Sequence, residues 1–116
     1  MEKSIEELQQ AVNEFCEERD WTKYHNAKDL ALSMSVEASE LAELFLWVQG
    51  DEINAVVEKK RDKVCEELAD VFYHVLRIAY LNKINLSSAL LSKLEHNAKK
   101  YPVSVVKGKH HKYTEY

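Results

Sequence analysis

Apolar residues recur along most of the chain at spacings of three and four positions. Ile5, Leu8, Val12 and Phe15 have this spacing, which places them on one face of an amphipathic helix. Gly and Pro, the residues that most often interrupt helices, number only two and one. So few chain-breaking residues are difficult to reconcile with a many-turned β-sandwich. The pattern therefore predicts an all-α protein.

Four helices are predicted from the apolar stripes and the capping residues. Asn26 is suited to begin the second helix and Gly50 to end it. Between Gly50 and Pro102 the only predicted break lies at residues 85–88, so the third helix would be some 45 Å long, at about 1.5 Å per residue. Part of so long a helix is expected to pack on another subunit. The predicted helices are residues 4–19, 27–48, 53–83 and 87–100, and an extended tail follows over 102–116.

Charge and composition restrict the classes of function. The net charge is −4, but residues 1–98 carry −8 and residues 99–116 carry +4. An acidic body favours a cation or cationic partner and argues against double-stranded DNA. The longest apolar run, residues 44–48, is too short for a membrane span or a signal sequence. Cys16 and Cys65 form no C-x-x-C pair, and we expect both to be small core residues in a reducing compartment.

We therefore expect a cytoplasmic protein that forms one domain over residues 1–116 and binds neither nucleic acid nor a membrane. In the fourth helix the residues expected to face inward are Ala89, Leu90, Leu91 and Leu94.

Acidic pairs three residues apart occur on two of the predicted helices. Glu37 and Glu40 stand in V-E-A-S-E, and Glu67 and Asp70 stand in E-L-A-D. Glu37 and Glu67 occupy positions where the apolar stripe requires a core residue. Burying an unpaired carboxylate is costly, so such positions need a compensating charge. If the two helices pack antiparallel, all four carboxylates would surround one point, where a divalent cation could neutralise them.

The donor set restricts the identity of such a cation. Carboxylates without a Cys or His at matching spacing favour Mg²⁺ or Mn²⁺ over Zn²⁺. A ferritin-like di-iron site is not favoured, because no His follows a Glu by three positions. The alternative is purely structural, with the carboxylates partly exposed and paired with Lys63 or Arg77. Both interpretations are open at this point.

A magnesium site without other catalytic groups suits the hydrolysis of a phosphoanhydride bond. Such a reaction needs no nucleophilic Ser, Cys or His, but it does need a pocket for the nucleobase. Aromatic side chains offer faces on which a base can stack. The candidates are Trp21, Tyr24, His25 and Trp47.

The sequence resembles the MazG-like all-α nucleoside triphosphate pyrophosphohydrolases, and most of all their dCTP pyrophosphatase branch. The family is marked by E-x-x-E on one helix and E-x-x-D on the next, here beginning at Glu37 and Glu67. The further matching segments are E-R-D-W (18–21), E-L-A-E-L-F-x-W (40–47), N-x-x-K-Y-P-V (97–103) and K-Y-T-E (112–115).

The resemblance implies that a (deoxy)nucleoside triphosphate, dCTP or a related or modified nucleotide, is converted to the monophosphate and pyrophosphate to clean the nucleotide pool. It also implies a homotetramer, a dimer of dimers, with pockets between subunits. The residues that would hold Mg²⁺ and carry catalysis are Glu37, Glu40, Glu67 and Asp70. The residues that would bind the nucleotide by the same resemblance are Trp21, His25, Trp47, Asn97 and Tyr101.

Two departures from the dCTP pyrophosphatase pattern concern the substrate pocket. Val12 stands where that branch carries a His, and His74 stands where it carries a Tyr. His74 follows Asp70 by one turn, so it is a candidate to face the substrate or orient a ligand carboxylate, or to be a hydrogen-bonded core histidine. The candidates for binding phosphate from the helices are Arg77, Lys93 and Lys100.

Two other functions are compatible with the sequence. One is a non-catalytic helical interaction module, similar to an antitoxin, whose acidic patch would dock a basic partner. The other stays within the enzyme class and is a hydrolase of dUTP or of damaged nucleotides. Magnesium dependence and nucleotide binding distinguish the first from an enzyme, and the preferred base distinguishes the second.

Overall fold

The computed structural model describes residues 2–110 and 114, and these residues contain helices and no strand. The all-α prediction is therefore confirmed. No helix among the described residues is long and apolar enough to cross a membrane. The helices are α1 (Ile5–Glu18), α2 (Ala27–Glu43), α3 (Glu52–Lys59), α4 (Arg61–Leu81), α5 (Leu86–Lys100) and α6 (Val103–Val106), with a 3₁₀ turn at Thr22–Tyr24 between α1 and α2.

Local capping interactions explain where three of the helices begin. The Ser4 hydroxyl accepts a hydrogen bond from the Glu7 backbone N–H at 3.1 Å, and the Glu7 carboxylate accepts one from the Ser4 backbone N–H at 3.0 Å. Asn26 accepts from the Asp29 backbone N–H at 2.9 Å and begins α2. Asn85 caps α5 in the same way. The predicted starts of these helices are each within one residue of the observed starts.

The second predicted helix ends earlier than expected, at Glu43 rather than at residue 48. From Leu44 onward the backbone bonds span three residues instead of four, as in the bond from the Leu44 N–H to the Leu41 carbonyl at 3.2 Å. Trp47 then has a φ of +65°, which a right-handed helix cannot contain. The helix therefore ends before Gly50, the residue expected to end it.

The third predicted helix is wrong as a single element, because it breaks at Lys60 into α3 and α4. Residues 58–63 are all charged, so no apolar side chain between Val57 and Val64 anchors this stretch on a core. With 21 residues, α4 is about 31 Å long, well short of the expected 45 Å. The length of this helix therefore gives no argument for a second subunit.

The chain forms two compact units, Met1–Lys83 and Ile84–Tyr116. In the first unit α4 packs most extensively against α2 and also contacts α1 and α3. Cys16 is buried as expected, whereas Cys65 is exposed and the expectation of a second core cysteine was wrong. The buried apolar residues are Cys16, Leu30, Leu76 and Ala79.

In the second unit, α5 exposes leucines that were expected to face inward. Leu90, Leu91 and Leu94 are all exposed in the single chain. The tail is also not wholly extended, since Val103–Val106 form one helical turn after Pro102. Residues 111–113, 115 and 116 of the predicted tail lie outside the described residues.

Candidate active site

Three carboxylates from two antiparallel helices meet at one point. Glu37 lies on α2, and Glu67 and Asp70 lie on α4. One oxygen of each lies within 4.8 Å of the others, close enough for all three to ligate a single ion. Their exposure is graded, because Glu67 is buried, Glu37 is intermediate and Asp70 is open to solvent. The spacing of three between Glu67 and Asp70 puts both on the side of α4 that faces α2.

Glu67 is the most constrained member of this cluster, with only 1% of its surface exposed. Its Oε1 forms an ion pair with the Lys63 ammonium group, at a distance of 3.1 Å. Its Oε2 is buried and has no hydrogen-bond partner among the described residues. A buried carboxylate oxygen without a partner is destabilising unless a cation neutralises it. Lys63 thus pairs with one oxygen of Glu67, as the structural interpretation expects, and leaves the other oxygen available to a cation.

Glu40 stands next to the same cluster on the exposed side of α2. The pKa of Glu40 is raised, first because its protonated carboxyl group can hydrogen-bond to the Glu67 side chain, and second because of the negative charge of Glu37. A shallow cleft of about 400 Å³ beside these carboxylates is lined by Glu40, Glu43, Leu44, Lys60, Lys63 and Glu67. The predicted set of four acidic residues is therefore assembled in one place.

The chemistry of this donor set fits a hard divalent cation. All of its ligating atoms are carboxylate oxygens, which Mg²⁺ and Mn²⁺ prefer. Glu67 Oε2, which is buried and has no hydrogen-bond partner among the described residues, is an atom that a bound cation would neutralise. Glu37, Glu67 and Asp70 are the residues placed to hold the ion, and Glu40 is placed beside them.

His74 lies one turn after Asp70 and is used to connect the two helices. Its Nδ1 donates to the Asp70 backbone carbonyl at 2.6 Å, so its Nε2 accepts from the Ser33 hydroxyl at 3.0 Å. His74 is buried, and it contacts the backbone of Asp70 rather than the carboxylate. The alternative of a hydrogen-bonded core histidine is therefore the better description, although one edge of the ring reaches a cleft.

That cleft, which we call the aromatic cleft, has a volume of about 340 Å³ and begins one helical turn from the carboxylate cluster. Ser33 precedes Glu37 by one turn on α2, and His74 follows Asp70 by one turn on α4. The Tyr73 ring is held in place by a contact of 3.1 Å between its hydroxyl and the Cys16 sulfur. The lining residues are Trp21, Tyr24, His25, Asp29, Leu30, Ser33, Tyr73 and His74.

Three predicted substrate-binding residues, Trp21, His25 and His74, thus line one cleft. Trp47 does not join them, because its side chain is 92% exposed after the end of α2. Asn97 and Lys100 lie on α5, and Tyr101 follows it as the C-cap residue, all in the second compact unit, where each is of intermediate exposure.

Arg77 was a candidate for binding phosphate, and the structure contradicts this, because only 1% of its surface is exposed. Its guanidinium group donates instead to Asn13 at 2.7 Å, Thr22 at 2.9 Å and His25 at 3.1 Å. The sequence contains a signal for this arrangement. Glu67, Asp70, His74 and Arg77 follow one another at spacings of three and four, so the polar stripe of α4 continues beyond the acidic pair to the buried His74 and Arg77.

Known proteins are similar to this chain in sequence and in fold. Residues 32–116 match the MazG-like family. Human dCTP pyrophosphatase 1 is 34% identical over 116 residues, covering 98% of this chain and 68% of that protein, and its bovine counterpart is 33% identical with 98% and 69% coverage. A crystal structure of a pyrophosphatase from Archaeoglobus fulgidus is 40% identical, with a TM-score of 0.83 over 88% of this chain and 95% of the other.

The chain therefore belongs to the MazG-like family, and it is a nucleoside triphosphate pyrophosphohydrolase. This class decides against the non-catalytic interaction module that the sequence left open.

Proposed function

We propose that this enzyme uses Mg²⁺, with Mn²⁺ as a possible substitute, to hydrolyse a deoxynucleoside triphosphate, dCTP or a related nucleotide, to the monophosphate and pyrophosphate. The observation that carries the proposal is the carboxylate cluster, with its unpartnered Glu67 Oε2, one turn from an aromatic cleft. The cluster suits a cation that binds phosphate, and the cleft suits a base. The similarity to dCTP pyrophosphatases supports cytosine as the base to test first.

In this proposal the carboxylates carry the reaction and the aromatic cleft binds the base. A bound divalent cation would neutralise the negative charge that develops on the phosphate groups during hydrolysis. Glu37, Glu67 and Asp70 would hold it, and Glu40, which is exposed beside them, would orient the attacking water and take its proton. Water then forms the new bond to phosphorus as the anhydride bond breaks, and pyrophosphate leaves.

Trp21 is the residue of the aromatic cleft best suited to stack on the base. Its ring is half-exposed and its orientation is set by an edge-on contact with Phe15, at 5.6 Å between ring centroids. His25 and His74 are proposed as polar contacts in the same cleft. The family resemblance supports further substrate contacts from Trp47, Asn97, Lys100 and Tyr101.

We also propose that the whole chain, residues 1–116, acts as one catalytic domain on the cytoplasmic nucleotide pool, and that it works as a homotetramer. Exposed leucine, valine and phenylalanine side chains that stand one turn apart on the same helix face support self-association, because a contiguous apolar patch is typical of an interface. On α2 and α4 these are Leu32, Val36, Leu68 and Phe72.

The decisive test measures pyrophosphate release from each common nucleoside triphosphate, with graded Mg²⁺ and with EDTA. We expect metal-dependent release that is fastest with dCTP. Release that EDTA leaves unchanged would contradict the metal proposal. The same assay is run with dUTP and with an oxidised nucleotide, and faster release from either would instead assign the enzyme to the alternative substrate class.

A pair of variants tests the site itself. Glu37→Gln or Asp70→Asn should abolish turnover while the helical content is retained, because each removes one ion ligand and little packing. Glu66→Gln is the matched control, since Glu66 is exposed on the same helix and is not part of the cluster. Turnover near the wild-type rate in Glu37→Gln or Asp70→Asn at saturating Mg²⁺ would refute the site assignment.

A further inference from the structure

Arg77 is a fully buried cation whose hydrogen-bond partners are all uncharged. Its three donors reach the amide oxygen of Asn13, the hydroxyl of Thr22 and the Nδ1 of His25. Within the part of the chain that the structure describes, no carboxylate forms an ion pair with it. Burying a charge in this way is costly, which indicates a role for Arg77 beyond packing.

The contact with His25 settles which nitrogen of that imidazole carries the proton. A guanidinium group has five N–H donors and no acceptor. His25 Nδ1, at 3.1 Å from Arg77 Nε, must therefore accept, and the ring proton must be on Nε2. A doubly protonated ring would lose this hydrogen bond and place two cations in contact. The network thus selects a neutral imidazole in the Nε2–H form.

Independent electrostatics act in the same direction. Burial lowers the pKa of His25, the positive charge of Arg77 lowers it further, and repulsion from His74 in its protonated form acts in the same direction. The groups that can carry charge around His25 are Arg77 and His74 on α4 and Asp29 on α2, which lines the same cleft. His25 is consequently neutral at physiological pH.

His25 is also one of the walls of the aromatic cleft. Its Nε2–H has no partner among residues 2–110 and 114, so it is available to a ligand. His25 precedes α2 by two residues, and Glu37 lies ten residues into that helix from Ala27, or about 15 Å along its axis. A nucleotide whose phosphates lie at the carboxylates would therefore extend its base toward His25.

We propose that Arg77 is a positioning residue that holds His25 as a neutral Nε2–H donor, and that this donor recognises a hydrogen-bond acceptor on the base, a carbonyl oxygen or a ring nitrogen. The inference rests on the proposed function, because it takes the cleft to be the nucleotide site. An imidazole fixed in this form can donate and cannot accept. It therefore favours bases that present an acceptor at this point and disfavours those that present an N–H.

The first experiment observes the imidazole directly in the wild-type protein, without nucleotide. NMR of ¹⁵N-labelled histidine distinguishes the two tautomers and the cation. We expect the Nε2–H pattern for His25 and a titration midpoint below the ordinary value of 6.5. Observation of the Nδ1–H tautomer, or of the cation at neutral pH, would overturn the proposal, whatever the enzyme hydrolyses.

The second experiment removes Arg77. In Arg77→Met the stem remains, but His25 loses its donor, so we expect a mixture of tautomers and a higher midpoint. The KM for dCTP should rise about tenfold, the effect of one neutral hydrogen bond, with a much smaller change in kcat. Arg77→Lys keeps the positive charge but loses the planar guanidinium group that donates to three partners. Its KM should therefore lie between those of the wild type and Arg77→Met.

A matched control separates positioning from simple loss of stability. Leu76→Ala truncates a buried side chain next to Arg77 on the same helix that does not line the cleft. We expect it to lower the unfolding temperature while the His25 tautomer and the KM stay as in the wild type. If Leu76→Ala raised the KM as much as Arg77→Met does, the effect of Arg77 would be structural and the proposal would be wrong.

A double-mutant cycle tests whether Arg77 acts through His25. His25→Leu should raise the KM for dCTP by itself, and adding Arg77→Met should raise it little further. Fully additive effects would overturn the proposal. If the wild type released no pyrophosphate from any nucleotide while showing the Nε2–H tautomer, the proposed function would fail and the Arg77–His25 pairing would stand.

Discussion

Two buried charges on α4 carry most of the chemical information in this protein. Glu67 and Arg77 are each only 1% exposed, and they lie ten residues apart on one helix. One carboxylate oxygen of Glu67 has no hydrogen-bond partner among the described residues, whereas the Arg77 guanidinium group has three partners, all of them uncharged. The first is placed to attract a cation from outside the chain, and the second to orient a neutral group within it.

The cost of the Glu67 charge leads to a prediction about stability. In EDTA, Glu67→Gln should unfold at the same temperature as the wild type or higher, because an amide is cheaper to bury than a carboxylate. Mg²⁺ should raise the unfolding temperature of the wild type by mass action and leave that of Glu67→Gln unchanged. Thermal unfolding with and without Mg²⁺ checks both statements.

The neighbouring carboxylate provides the control for that measurement. Glu66→Gln should behave as the wild type does, with a normal response to Mg²⁺, because Glu66 is exposed and outside the cluster. Equal stabilisation of Glu67→Gln and the wild type by Mg²⁺ would show that the ion binds elsewhere.

The lowered pKa of His25 predicts how stability depends on pH. At His25 the native state binds fewer protons than the unfolded chain in the pH range between the lowered native pKa and the unfolded value of 6.5. The contribution of His25 to the free energy of unfolding should therefore be fully present above pH 6.5 and should be lost as the pH falls from 6.5 through the native pKa. His25→Gln should show a smaller decrease, and urea unfolding on either side of pH 6.5 measures it. An unchanged decrease in His25→Gln would assign the acid sensitivity to other groups.

At the scale of elements, the end of α2 stores backbone strain. Trp47 has a φ of +65° and a side chain that is almost entirely exposed. A left-handed conformation costs a non-glycine residue about 1–2 kcal/mol. An exposed side chain makes few packing contacts that could offset this free energy. Strain of this kind is often retained where a side chain has a function.

Replacing Trp47 separates strain from function. Trp47→Gly should stabilise the fold by about 1 kcal/mol, because glycine adopts this φ freely. If Trp47 contacts the nucleotide as proposed, the same variant should raise the KM for dCTP. Denaturant unfolding and steady-state kinetics give the two numbers.

Lys83→Gly is the matched control, because Lys83 is also exposed and has a φ of +55°. It should give a similar gain in stability and an unchanged KM. An unchanged KM in Trp47→Gly as well would remove Trp47 from the substrate site.

At the scale of the whole molecule, the exposed apolar side chains of three helices predict self-association. Leu32 on α2 and Leu68 on α4 are both more than half exposed, and Leu91 on α5 is also exposed. Leu32→Lys and Leu68→Lys should each reduce the mass in solution measured by light scattering, because a buried lysine at an interface is costly. Gln10→Lys, on the exposed face of α1, should leave the mass unchanged. A monomeric wild type would refute the homotetramer.

Helix starts and the acidic motif could be predicted from the sequence because they depend on short-range geometry. Asn26 caps α2 through its own side chain three residues away, and Glu67 and Asp70 share a face by helical spacing alone. Helix ends were predicted less well. The early end of α2 and the break at Lys60 depend on what the chain packs against. No local sequence pattern predicts the positive φ of Trp47.

The amino-acid pattern by itself was enough for the helical class, the capped starts and the four acidic residues, because helical periodicity places these residues on one face before any packing occurs. The tertiary structure was needed for the roles of Arg77 and His25, which are 52 residues apart and meet only when α4 packs beside the turn before α2. It was also needed to show that Lys63 satisfies one oxygen of Glu67 and leaves the other alone. Burial and long-range hydrogen bonds are properties of several elements together, so a single stretch of sequence does not contain them.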